Sequence, residues 1–186
     1  MKCNQFARVP TDNYPYHFLT SLFFRWENPA QLHKLTASSQ EWCGHTFKEY
    51  LENGQGFSFQ YHSYWDGEGS GKEDVPAAWF EDQLPYTLRA LRFADGLSFE
   101  RPLYPTEKHS RARKPQAQAA SFSVSSDGDQ WRVDVRTPNG PSRYWFAKAY
   151  PNALRRQESW NGLRLSLRKI DRYPYWAYTP EHMQAP

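Results

Sequence analysis

The sequence predicts a mainly β fold: an antiparallel meander forming an open barrel or strongly curved sheet, with one helical segment, about 75–91, packed against it. Three observations support this. Aromatic residues make up 17% of the 186-residue chain, a composition that favours strands. Four turn pairs, Asn53-Gly54, Asp127-Gly128, Asn139-Gly140 and Asn161-Gly162, punctuate it and tolerate the positive φ of tight hairpins. Long Ala/Leu/Glu/Lys runs are missing. With no fixed-period repeat and no linker of clear character, residues 1–186 are expected to form a single β-rich domain.

The elements follow in order. Runs 16–26, 32–39, 41–51 and 57–65 read as strands, the last with Phe57, Phe59, Tyr61 and Trp65 on one face. The Gly- and acid-rich stretch 66–74 reads as a flexible loop. Within 75–91, Trp79, Leu84, Leu88 and Leu91 fall near one helical face, and Pro85 must break or kink the helix. Residues 105–117, with the basic cluster His109 to Lys114 between Pro105 and Pro115, read as a long solvated loop. Residues 118–171 read as a meander of about five antiparallel strands. Its last run alternates Leu163, Leu165 and Leu167 against Arg164, Ser166 and Arg168, a leucine face inward and a basic face outward. Pro138 and Pro141 bracket Asn139-Gly140, which predicts a looser connection there.

Polar chemistry concentrates in Ser38-Ser39-Gln40-Glu41-Trp42-Cys43-Gly44-His45. Its meaning depends on pairing around Asn53-Gly54. A two-residue hairpin places His45 opposite His62 and gathers Glu41, Cys43, His45, His62, Tyr64 and Asp66 on one face, directly opposed Cβ atoms being ~4.5–5.5 Å apart. A three-residue loop instead gathers Cys43, Phe47 and Leu51 with Phe57, Phe59, Tyr61 and Trp65, and turns His62 away. The second arrangement separates apolar from polar residues more cleanly.

Several function classes have no support in the chain. Net charge is +3, from 23 basic and 20 acidic residues, too balanced to indicate nucleic acid. No apolar run approaches the ~20 residues of a membrane-spanning helix. No phosphate loop, dinucleotide fingerprint or calcium loop is present, and no metal or cofactor is indicated. Cys3 and Cys43 make neither a zinc site nor a disulfide framework by themselves, and their pairing stays open. The N-terminal residues contain no apolar segment of the signal-peptide kind.

The segments "NYPYHFLTSLF", "LTASSQEWCGHTF" and "HSYWDGEG", with a later "YPYW" at 173–176, resemble a family of uncharacterised exported bacterial proteins, often lipoproteins. Its members are often labelled septum formation inhibitor Maf, although strand following strand is not the α/β pattern of the nucleotide pyrophosphatases of that name. The match is specific around "QEWCGH". The resemblance implies a barrel-like protein of the cell envelope or periplasm. It also implies that relatives begin before the segment matching Lys2 with further strands, so that a sheet edge here lacks a neighbour.

These readings favour a binding or carrier module for an apolar small molecule or a peptide partner, with Trp42, Tyr61, His62, Tyr64 and Trp65 as candidate ligand contacts. The alternative is a cysteine- or metal-dependent hydrolase centred on Glu41, Cys43 and His45. A third reading is a structural interaction module that uses a sheet edge.

Overall fold

The computed structural model describes residues 1–172 and 174. Two sheets and one short helical passage make up the fold. The first sheet is a six-stranded meander in chain order: β1 (Lys2–Val9), β2 (Tyr16–Phe24), β3 (Leu32–Glu41), β4 (Gly44–Glu52), β5 (Gly56–His62) and β6 (Ser70–Pro76). The second has seven strands: β7 (Trp79–Phe80), β8 (Ser98–Tyr104), β9 (Gln118–Asp127), β10 (Gln130–Thr137), β11 (Gly140–Ala147), β12 (Leu154–Glu158) and β13 (Arg164–Ser166). It curls into a half-barrel. Its pairs are antiparallel apart from the short parallel pair β7–β8. The five-strand meander expected over 118–171 is β9 to β13.

Alternation fixes the faces of the first sheet. Its inner face carries cross-strand rows such as Cys3–Leu22–Leu35–Tyr50–Phe59, and Leu22, Leu35, Tyr50 and Phe59 are fully buried. Phe80 and Tyr104 of the second sheet complete this core, with the Phe80 ring 4.8 Å from Tyr50 and 5.0 Å from Tyr104. Tyr104 Oη donates to the Pro76 carbonyl at 2.8 Å, so the two sheets are joined at β6–β8.

The helical passage is a wedge between the sheets. It runs through a 3-10 turn at Glu81–Gln83, the helical turn α1 (Leu84–Thr87) and a second 3-10 turn at Leu88–Ala90. Pro85 sits in the first turn of α1, where its missing N–H costs nothing. Leu84 and Leu88 enter the core of the half-barrel, while Tyr86 lies 5.8 Å from Phe24 of the first sheet. The segment 75–80, expected to be helical, is extended instead: β6 ends at Pro76 and β7 spans Trp79–Phe80.

Three local expectations are corrected. The stretch 66–74 is a loop only as far as Gly69, since Ser70–Pro76 pairs with β5. Gly71 belongs in that strand because a Cβ there would lie 2.6 Å from Tyr61 Oη. Asn139-Gly140 closes a tight turn, Thr137 pairing directly with Gly140; Pro138 lies in the turn, where no ladder donor is required. Neither expected register at Asn53-Gly54 occurs. Glu52 pairs with Phe57 across four residues, and Asn53 Oδ1 accepts from the amides of Gln55 and Gly56. Leu51 therefore faces out, and Lys48 faces in. Strands β1 and β8 lack a clean alternation of apolar and polar residues. The first lies at a sheet edge with Phe6 79% exposed.

Candidate functional site

The "QEWCGH" residues occupy a turn. Glu41 pairs with Gly44, so Trp42 and Cys43 form the two-residue connection between β3 and β4. Trp42 is exposed and stacks on Tyr14 with centroids 5.2 Å apart. Cys43 is a free, exposed thiol whose Sγ lies 2.6 Å from Tyr14 Oη. Glu41 accepts from Tyr64 Oη at 2.7 Å, and the Tyr64 ring lies on Gly44, where a Cβ would come within 2.4 Å. His45 is exposed, and alternation sets it on the outer face of the sheet. Glu41 and Cys43 both lie near Tyr64, His45 is on the outer face, and Cys3 and Cys43 are both free thiols. No group of three or more metal-ligating side chains gathers among the described residues.

The ligand candidates also part company. Trp42 and Tyr64 belong to the turn cluster. Tyr61 faces the inner core beside Phe59, with ring centroids 5.2 Å apart. His62 lies on the outer face with its Nδ1 2.9 Å from Ser70 Oγ. Trp65 lies under the Arg111 guanidinium, 3.5 Å from its carbon.

That arginine belongs to a strap. Residues 105–117 have no regular structure but cross the inner face of the first sheet, pinned by ionic contacts. Glu107 and Lys48 are both buried and 2.8 Å apart, and the Lys48 ammonium donates to the carbonyls of Glu107 and His109. Burial pushes the Lys48 ammonium down, against the opposing pull of Glu107. Asp82 receives Thr106 Oγ1, the Glu107 amide and Lys108 Nζ. Glu68 receives the Ala112 amide at 3.0 Å and Arg111 at 3.4 Å. The basic cluster expected to be solvated is thus partly spent on the fold.

A partly open space of about 780 Å³ lies between the sheets. Its floor is the inner side of β1 and β2, with Gln5, Ala7, Val9 and Phe18. The wedge contributes Glu81, Asp82, Pro85 and Tyr86, and the strap Thr106 and Lys108. The opposite wall comes from β11 to β13 and includes Tyr144, Leu154 and Gln157. Leu163, Leu165, Leu167 and Ile170 form a lip, each 41–63% exposed. The expected leucine face does turn inward, but toward this space and not into a filled core. On the wedge side of the space, Glu81 accepts from Trp160 Nε1 at 3.1 Å. Burial pushes the Glu81 carboxyl up, with the Trp160 bond acting against it.

The cavity residues were not among the sequence candidates, because they come from seven separate elements. Their one local signal was the Leu163–Leu165–Leu167 alternation.

No family model and no curated protein matches the chain. Among solved structures, it is similar to a crystal structure of a DUF1089 family protein from Pseudomonas aeruginosa, 15% identical, with TM-score 0.55 over 82% of this chain and 81% of that one. At that identity the likeness concerns the fold alone.

Proposed function

We propose that this protein is a binding or carrier module for an apolar or amphipathic small molecule, held in the cavity between the two sheets. The placement at the cell envelope rests on the sequence resemblance. The observation that carries the reading is the leucine lip over a partly open space between the sheets. A volume of about 780 Å³ falls within the about 300–1,000 Å³ of small-molecule sites. Four aliphatic side chains left half-exposed on one rim form an apolar patch that a folded chain normally buries or uses.

The turn holding Glu41, Cys43 and His45 offers no comparable space: Trp42 and Cys43 are open to solvent, and Oε1 of Glu41 accepts from Tyr64.

The test is titration with a neutral fluorescent apolar probe, N-phenyl-1-naphthylamine. Binding with a blue-shifted emission is expected, and it should weaken at least tenfold in a Leu165→Asp, Leu167→Asp double variant. Trp26→Ser, at an exposed residue that does not line the cavity, should leave it unchanged. No probe binding by the folded wild type, or equal loss in both variants, overturns the proposal.

A further inference from the structure

The first sheet has an unguarded edge. Strand β1 ends that sheet and spans Lys2–Val9, longer than the about 5–6 residues of an ordinary strand. Met1 and Phe24 exchange two backbone bonds, Met1 N on Phe24 O at 3.0 Å and Phe24 N on Met1 O at 2.8 Å. Bonding alternates along an antiparallel pair, so the odd residues of β1 spend their amides and carbonyls on β2. Those of Lys2, Asn4, Phe6 and Arg8 point away from the sheet and take no backbone partner among the described residues. The side chains at these four positions are exposed, Phe6 by 79%. Cys3, Gln5 and Ala7 turn the other way and are half-buried, Gln5 and Ala7 against the space between the sheets.

The other end of the sheet is protected. Lys72, Glu73 and Asp74 stand in the middle of β6, and Tyr104 ties β6 to the second sheet. Mid-strand charge is a common bar to edge pairing. Strand β1 carries no charge between Lys2 and Arg8, and Phe6 lies near its centre. Its two charged side chains are both basic, and neither forms an ion pair among the described residues. The same holds for Arg164 and Arg168 on the outer side of the leucine row, in the opposite wall of the space. A second copy of the chain fits this edge poorly. The antiparallel self-pairing that engages all four free residues sets Lys2 opposite Arg8, and directly opposed like charges are destabilising.

We propose that β1 accepts an extended acidic peptide as an added antiparallel strand. Its carboxylates lie opposite Lys2 and Arg8, and its alternate apolar side chains turn toward the space between the sheets. Strand addition takes affinity from main-chain bonds and specificity from alternate side chains. The bonds here fall to Lys2, Asn4, Phe6 and Arg8, in pairs with Cα atoms about 5.5 Å apart. Such binding does not require the cavity to hold a small molecule, so its failure leaves the cavity reading standing.

The experiment uses the full chain, labelled with nitrogen-15, at pH 7. The probe is acetyl-Glu-Val-Thr-Val-Thr-Val-Glu-amide at up to about 1 mM, which reaches weak peptide contacts. Amide exchange with water is read by NMR. In the free protein the amides of Asn4, Phe6 and Arg8 are expected to exchange fast and those of Gln5 and Ala7 slowly. Bound peptide should slow the first three at least threefold. A peptide with lysine in place of both glutamates should bind at least fivefold more weakly. N-methylation of both threonines, whose amides face β1, should abolish binding; N-methylation of the central valine, whose amide faces away, should change it less than threefold. Phe6→Pro removes one free donor and keeps every bond to β2, and it should abolish the protection. No slowing in wild type, equal binding of the lysine peptide, indifference to threonine N-methylation, or unchanged binding by Phe6→Pro overturns the proposal. So does a wild-type dimer in sedimentation that Phe6→Pro dissociates, which gives the edge to a second copy. Slow exchange of the same three amides in free monomer also overturns it and gives the edge to another segment of this chain.

Discussion

Replacing Lys48 by Met tests whether a buried ion pair holds the strap that walls the cavity. Lys48 and Glu107 have side chains 1% and 4% exposed and are 2.8 Å apart. At an effective dielectric of about 20, attraction at that distance is about 6 kcal/mol. Desolvation of the two ions, several kcal/mol each, offsets most of it. The intact pair is therefore near neutral, but removing one member strands the other. Lys48→Met should cost about 3–5 kcal/mol, because a buried carboxylate loses its counter-ion while the carbonyls of Glu107 and His109 lose a donor. The double variant Lys48→Met, Glu107→Gln removes both charges and should recover most of that loss, leaving it within about 2 kcal/mol of wild type. Urea unfolding at pH 7 measures all three proteins, with the slope checked for two-state behaviour. The reasoning fails if Lys48→Met costs under about 1 kcal/mol, or if the double variant is no more stable than the single one.

Three further outcomes follow from the same geometry. Gly44→Ala should cost about 1–3 kcal/mol by overpacking, since the new Cβ would lie 2.4 Å from Tyr64 Cγ; a thermal midpoint equal to wild type contradicts that. In native protein a disulfide reagent should label Cys43 promptly and Cys3 only slowly. Cys43 is exposed, whereas burial pushes the Cys3 thiol up and lowers its thiolate fraction. Equal labelling rates, read by peptide mass mapping, would contradict the placement of Cys3. Burial pushes the Glu68 carboxyl up, but the Ala112 amide, Ser63 and Arg111 outweigh it and hold it below its ordinary 4.5. Its contribution is therefore present above that value and lost as pH falls through the lower folded value. Glu68→Gln should flatten the fall of the urea midpoint between pH 5 and 3, and an unchanged acid limb would exclude this carboxylate as a source.

Much of the fold was legible because strand alternation and turn chemistry are local. The meander β9 to β13 and the strand character of β2 to β5 follow from side-chain period and Gly-containing turns. β6 was hidden because its Ser-Gly-Lys-Glu-Asp run is polar on both faces, and β8 because Glu100, Arg101 and Pro102 interrupt its apolar residues. The chemistry suggested around Cys43 came from residue types crowded in sequence; the two-residue turn sets Trp42 and Cys43 at an exposed tip and His45 on the outer face.

By itself, then, the sequence determined the fold class, the order of most strands, the long loop before β9 and the leucine row at 163–167. Only the tertiary structure decided which face of β4 is inside, and so that Lys48 is buried. Strand period leaves two faces equivalent until a partner is chosen, and here the side-chain amide turn of Asn53 and the close-packed Tyr50–Phe59 pair, 4.6 Å between rings, choose it. Only the tertiary structure made the cavity, because Gln5, Glu81, Lys108, Gln157 and Leu165 come from different elements. Their meeting depends on how a wedge and a strap hold two curved sheets apart, which no local pattern encodes.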